Sequence, residues 1–236
     1  MNIVVETHSH TIASGHAYNT IEEMAMAAGE KGIKILAITE HAPNMPGTCH
    51  IFYFHNLRVV TRIRHGVELL LGAELNVMDY EGNVDLDEET LDGLDIAIAS
   101  LHTPCIRPGN ITENTNALIG AMKNPHVKII GHPDDSKYPL DYERLVKAAK
   151  EYHVLLELNN NSLNPTGFRL NARDNDIKML ELCKSYNVPI TMGSDAHVAE
   201  DIGNCCYSKE ILKATDFPEE LIINTSVEKF KAFLSC

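Results

Sequence analysis

The chain has no tryptophan and few aromatic residues (6%), and its 20 Lys and Arg side chains are outnumbered by 33 Asp and Glu, a formal charge of −13. Proteins that hold phosphate backbones need a basic face, and here the basic residues are scattered singly, with Arg58, Arg62 and Arg64 their nearest grouping. A nucleic-acid partner is therefore not expected, and any anionic ligand must find positive charge that the polypeptide does not supply. No apolar run is long enough to span a bilayer, and Glu6 and His8 arrive before a secretory core could form. These absences lead us to expect a soluble, cytoplasmic protein with no membrane partner. Cys49, Cys105, Cys183, Cys205, Cys206 and Cys236 show no CxxC spacing, which argues against a zinc ribbon or disulfide framework, and all six read as free thiols. Nothing assigns a role to the Cys205–Cys206 pair. With no Pro/Gly/Ser-rich linker, repeat or low-complexity tract, residues 1–236 read as one domain.

What the chain does contain is a 44% apolar content, arranged in short aliphatic runs at 3–5, 35–39, 69–75, 96–100, 128–130, 154–158, 189–192 and 221–223. Runs of this kind, apolar without alternation, read as buried parallel strands. Between them lie segments of helical period with end signals. Thr20 and Glu23 form a capping box before a helix that Gly32 stops, and Asp141 caps a second helix carrying Leu145, Val146 and Ala149 on one face. Phe54, Leu57, Val60 and Ile63, ending at Gly66, predict another helix, as do Ile177, Leu180 and Cys183. Strand–helix alternation along the whole chain predicts an α/β domain built on a parallel sheet.

The chemistry lies at the strand ends. The first strand is followed by His8, His10 and then His16, the second by His41, and the third carries Glu74. The fourth is followed by His102, the fifth by His132, the sixth by Asn159 and the seventh by Asp195 and His197. Successive marks are roughly 30 residues apart, the length of one βαβ unit, and in a parallel barrel they would converge on the C-terminal face where such folds keep their active sites. His8 and His10, like Asp195 and His197, are two residues apart, so in extended chain each pair points to one side. Imidazoles and carboxylates without cysteine suit a hydrolytic zinc, manganese or iron site better than a closed structural zinc. Histidine totals twelve residues, and His50, His55, His65, His126 and His153 lie away from strand ends and read as structural or surface residues.

The motifs H-S-H with His16 downstream, I-T-E-H, G-A-E-L-N, the histidine after A-S-L, G-H-P, E-L-N-N-N-S and G-S-D-A-H together resemble the PHP (polymerase and histidinol phosphatase) family of metal-dependent hydrolases, and within it the short YcdX-type phosphatases. The resemblance runs over essentially the full chain. It implies a distorted TIM-like (β/α)7 barrel with the active site at the C-terminal ends of the strands and three divalent metal ions, zinc foremost, with manganese or iron as alternatives. By motif, His8, His10, Glu74 and Asp195 would hold one ion and His16, His41 and His197 a second. Glu74 would bridge to a third, held with His102 and His132. Glu6 departs from the aspartate this family commonly places before H-x-H, a change that bears on tuning more than on ligation.

Three divalent ions against two ligand carboxylates leave about +4 at the site, which resolves how so acidic a chain could bind a phosphate dianion. The expected reaction is hydrolysis of a small phosphomonoester by a metal-activated hydroxide, with no protein nucleophile. Asn159 and Arg169 are candidates for supporting that centre, and Arg107, Arg169 and Arg173 for clamping phosphate. Loops 43–55, 103–116 and 160–175 should set substrate choice. Four rival readings stand beside this one. A histidinol-phosphate phosphatase shares the chemistry, a phosphodiesterase or nuclease would need a basic surface, and an amidohydrolase would place a modified lysine where His102 stands. A catalytically silent metal-binding regulatory module is the non-enzyme reading. A homo-oligomer is compatible with the sequence, though no interface is legible in it.

Overall fold

The computed structural model describes residues 1–235, and Cys236 lies outside the described residues. Eight strands, β1 (Val5–Glu6), β2 (Ile35–His41), β3 (Ile63–Arg64), β4 (Val67–Asn76), β5 (Ala97–Ser100), β6 (Val127–Ile130), β7 (Leu155–Asn159) and β8 (Ile190–Gly193), form one sheet. All neighbours along β1-β2-β4-β5-β6-β7-β8 are parallel, and β3 alone pairs antiparallel, with β4. Helices α1 (Ile21–Glu30), α2 (Ile51–Asn56), α3 (Glu88–Asp92), α4 (Ile111–Met122), α5 (Tyr142–Tyr152), α6 (Ala172–Tyr186), α7 (Cys206–Ala214) and α8 (Val227–Leu234) complete it. Among the described residues, no helix is long and apolar enough to cross a membrane.

The sheet curls into a distorted TIM-like barrel whose seam lies between β1 and β8. No ladder joins these strands. Instead Ser9 and Ala196 form a single parallel bridge, His10 N–H donates to Ala196 O (2.9 Å) and Asp195 N–H to His8 O (3.0 Å). Below them the buried Asn224 side chain donates to Val5 O (3.0 Å) and Met192 O (2.8 Å) and accepts from Met192 N (2.7 Å). A side-chain amide thus supplies the backbone partners that a ladder would otherwise provide.

Strand alternation explains how the barrel separates core from site. Val5, Ile35, Ala37, Ile96, Ile98, Ile129 and Leu155 pack inside one cluster, plugged from below by Phe230 and Phe233 of α8. Side chains two and four residues further along these strands point the same way, and there the inward positions become His41, Glu74 and Glu157. The larger cluster fills the layer between the outer sheet face and the helices.

Two sequence expectations need correction. Residues 221–223 are not a strand. Leu221 ends one 3₁₀ turn (Glu219–Leu221) and Ile223 begins another (Ile223–Thr225), and Ile222 between them touches the sheet through one bridge to Ile190. The helix expected from Phe54 to Ile63 stops after a short 3₁₀ extension, Leu57–Val59, and Ile63 enters the β3–β4 hairpin, 60% exposed. The capping box of α1 (Thr20, Glu23) and the Asp141 cap of α5 form as the sequence predicts.

Candidate metal centre

Glu74 occupies the middle of the C-terminal rim with no solvent exposure. Its Oε1 lies 2.8 Å from His132 Nε2 and 3.1 Å from His102 Nε2, and its Oε2 lies 2.8 Å from His41 Nδ1, 3.4 Å from His8 Nε2 and 3.5 Å from His10 Nε2. Asp195 stands beside them, with Oδ1 3.4 Å from His10 Nε2 and 3.6 Å from His197 Nδ1. The His16 ring completes the outer side, 4.9 Å from both the His41 and His197 rings. All the ligand candidates named from the sequence therefore gather at one place. Three groups have ligand atoms within 4.8 Å of one another: His10, His41 and His197; His8, His10 and Glu74; and His41, Glu74 and His102. His41 belongs to two of these groups, so its reach is wider than the motif-based partition assigns it.

The donor set fits divalent cations. Glu74 Oε2 and His41 Nδ1 are buried and have no hydrogen-bond partner, a costly arrangement unless a ligand satisfies both. Three of the imidazoles are also aimed from behind. His8 Nδ1–H donates to Glu157 Oε1 (2.8 Å), and His102 Nδ1–H to Asn76 Oδ1 (2.7 Å). His10 Nδ1–H donates to Ser14 Oγ (3.2 Å), whose own hydroxyl donates to Glu40 Oε2 (2.5 Å). In all three, Nδ1 is occupied and Nε2 is left facing the cluster, as metal-ligating histidines are held.

Burial is the largest influence on the groups that shift, and it pushes His10, His16 and His102 towards neutrality. It holds His10 well below its usual range, helped by His41, and takes His102 down to about 4. His8 is the exception. Burial pulls it down, but the Glu157, Glu74 and Asp195 carboxylates hold it well above the usual value. Glu74 and Asp195 resist burial and lie well below the usual carboxylate range, Glu74 through His102, His8 and His41, and Asp195 through His8, His10 and Arg169. Backbone strain marks the site too: His132 (φ 30°) and Asp195 (φ 52°) sit in left-handed conformations that cost non-glycine residues energy.

Arg169 is the only one of the three candidate arginines among the cavity-lining residues. Its Nη1 donates to Ser162 Oγ (2.9 Å), Asp195 Oδ2 (3.2 Å) and Asn159 Oδ1 (3.3 Å). Arg107 and Arg173 are exposed and do not line the cavity that opens from the cluster, so their placement gives no phosphate clamp. Asn159 links the site internally, its Nδ2 donating to Glu157 Oε2 (3.0 Å) and Asp195 Oδ2 (3.3 Å).

Sequence reasoning passed over Glu157 and Asn76, which point inward from β7 and β4. The signal was present. Glu157 lies two residues before Asn159 on the same strand face, and Gly193 opposite leaves it room, since a Cβ there would fall 1.9 Å from Glu157 Oε1. Glu6 binds backbone rather than the cluster, accepting from His8 N (3.1 Å), Ser194 N (3.1 Å) and Gly203 N (3.0 Å). It ties the loops after β1 and β8 together.

A parallel barrel with buried imidazoles and carboxylates at the C-terminal rim defines a metal-dependent hydrolase. The PHP domain family matches residues 6–163 and the PHP-associated family residues 177–217, and the chain belongs to the PHP family. A protein of Caldicellulosiruptor saccharolyticus described as "Probable phosphatase" is 50% identical over 234 residues, covering 99% of this chain and 97% of its own. Histidinol phosphate phosphatase of Lactococcus lactis, solved with zinc, L-histidinol and phosphate, shares the fold at TM-score 0.59 and 14% identity over 91% of this chain and 94% of that one. A chain of archaeal ribonuclease P, solved with mature tRNA, does so at TM-score 0.56 and 15% identity over 98% and 90%.

Proposed function

We propose that the chain is a phosphatase hydrolysing a small phosphomonoester at a three-ion centre, with water as the nucleophile. The observation that carries this reading is Glu74, a fully buried carboxylate met through both oxygens by imidazoles from five different positions. His8, His10, Glu74 and Asp195 would hold one ion, His16, His41 and His197 a second, and Glu74 with His102 and His132 a third, zinc, manganese and iron all suiting these donors. Bound divalent ions would supply the positive charge and Lewis acidity that acidify water and stabilise a leaving oxygen. The chain's own residues orient this centre: Glu157 fixes His8 and the backbone N–H of His132 (2.8 Å), and Asn159 holds Asp195. Arg169, beside Asp195, is placed to donate to a phosphate oxygen. The leaving alcohol would enter the adjoining cavity of about 440 Å³, a small-molecule volume. A polynucleotide is not favoured by that volume or by the −13 charge.

The test is phosphate release from a generic phosphomonoester by protein reconstituted in turn with zinc, manganese and iron. Turnover should require metal and fall about 100-fold or more in His102→Ala. Glu74→Ala should lower metal content by two ions per chain, and loss of only one contradicts the bridging role. Turnover with no metal, or none with any, sinks the reading.

A further inference from the structure

Beyond the imidazole cluster, the cavity wall is mainly apolar, formed by Met45, Leu101, Leu118, Tyr138, Leu140 and Phe168. Phe168 differs from the others in being 69% exposed while its backbone is held in place. Ser136 N–H donates to Leu170 O (2.9 Å), Leu170 N–H to Asp135 Oδ1 (3.0 Å) and Lys137 Nζ to Phe168 O (3.2 Å). Lys137 Nζ lies 5.3 Å from the ring centroid, and the rest of the ring is open, an anchored and exposed aromatic surface on a cavity wall that forms a preorganised apolar contact. Arg169 follows it directly in sequence and reaches Asp195, with its guanidinium carbon 5.3 Å from the Phe168 centroid. The phosphate end and the ring are thus adjacent in space.

Charge narrows the ligand further. Outside the imidazole–carboxylate cluster, the charged residues among the described lining are Asp135, Lys137 and Arg169. Asp135 Oδ1 accepts from the backbone N–H groups of Lys137 (3.0 Å) and Leu170 (3.0 Å), and its Oδ2 lies 3.8 Å from Lys137 Nζ. This carboxylate and ammonium answer each other, and Arg169 serves the phosphate end. A cationic leaving group would meet no carboxylate that is not already engaged, and desolvating it there would be costly.

We infer that the substrate is the phosphomonoester of an uncharged alcohol with an apolar, ring-sized body, and that Phe168 packs against that body and sets this specificity. The inference rests on the phosphatase reading above. Water oxygen bonds to phosphorus as the bond from phosphorus to the alcohol oxygen breaks, and the departing alkoxide takes up a proton from the water, giving neutral alcohol and inorganic phosphate.

The experiment compares 2-phenylethyl phosphate with 2-aminoethyl phosphate, primary alkyl esters differing only at the far end, on metal-loaded protein. The phenyl ester should have kcat/KM at least about tenfold higher. In Phe168→Ala its KM should rise about tenfold, Phe168→Tyr should restore it, and inhibition by inorganic phosphate should shift less than about twofold. Equal or better turnover of the amine ester overturns the inference while leaving the phosphatase reading intact, as does an unchanged ester preference in Phe168→Ala. No phosphate release from either ester with any metal overturns both. Because Phe168 is exposed, its variants should melt as the parent does, which separates a binding defect from misfolding.

Discussion

A carboxylate with no solvent exposure is tolerated only when its oxygens are claimed by donors. Glu157 meets that condition through His8 Nδ1, His132 N and Asn159 Nδ2. Glu157→Gln keeps the volume but turns one acceptor into a donor that faces these N–H groups. We expect metal affinity or kcat to fall about 10- to 100-fold, read by metal titration and steady-state kinetics, and an unchanged affinity for all ions would remove Glu157 from the supporting shell. Asp176 on α6 is the opposite case: it is fully buried and neither oxygen has a hydrogen-bond partner, which is also true of the neighbouring Asp134. Burial, followed by Asp134, holds its pKa well above the usual carboxylate range. The folded state therefore binds this proton more tightly than the unfolded chain, so its contribution is complete below the unfolded pKa and is lost as pH rises through the raised folded value. Asp176→Asn removes that titration. Its melting temperature should exceed the parent's near pH 8 and approach it near pH 4, whereas parallel melting curves across that range would contradict the assignment.

At the scale of elements, α8 is the piece that the sequence hid. Its Phe230 is wholly buried beneath the strands, packed with Val5, Ile35 and Ile98 in the inner cluster. Phe230→Ala should cost about 3–5 kcal/mol of stability, measured by urea unfolding, and a cost below about 1 kcal/mol would mean that α8 merely lies on the barrel. The parallel strands were legible because both their faces are buried, which writes them as unbroken aliphatic runs. The same rule misled at 221–223, where Leu221 and Ile223 are buried in 3₁₀ turns and Ile222 between them makes one bridge rather than a ladder. The apolar stripe from Phe54 to Ile63 misled for a related reason. Helical spacing persists across a turn that ends at Val60, and what decides the matter is the adjoining strand, where Ile63 pairs with Glu68 and Arg64 with Val67. Residues at strand ends were readable as a site because topology brings them together, whereas Glu157 lies inside β7 and Asn76, the last residue of β4, carries an amide that acts only through His102, so both show their role only through strand parity.

For the molecule as a whole, the question is how a chain of charge −13 binds a dianion. Of the arginines singled out in the sequence, only Arg169 lines the cavity, and it is already engaged with Asp195. Glu74 and Asp195, held ionised, add negative charge at the point where phosphate must arrive. The polypeptide alone should therefore repel phosphate, and affinity should appear only when divalent ions reverse the local sign. Because a ligand that binds only the folded state stabilises it by mass action, inorganic phosphate at about 100 times its Kd should add about 2.7 kcal/mol to the metal-loaded protein. The same phosphate should add nothing after chelation, and melting scans with and without phosphate on the two forms make the comparison. Equal stabilisation of both forms would place the phosphate on protein side chains such as Arg169 and undo the argument from charge. Stabilisation confined to the loaded form would show that the acidity of the chain and its anionic ligand are reconciled at the metal centre.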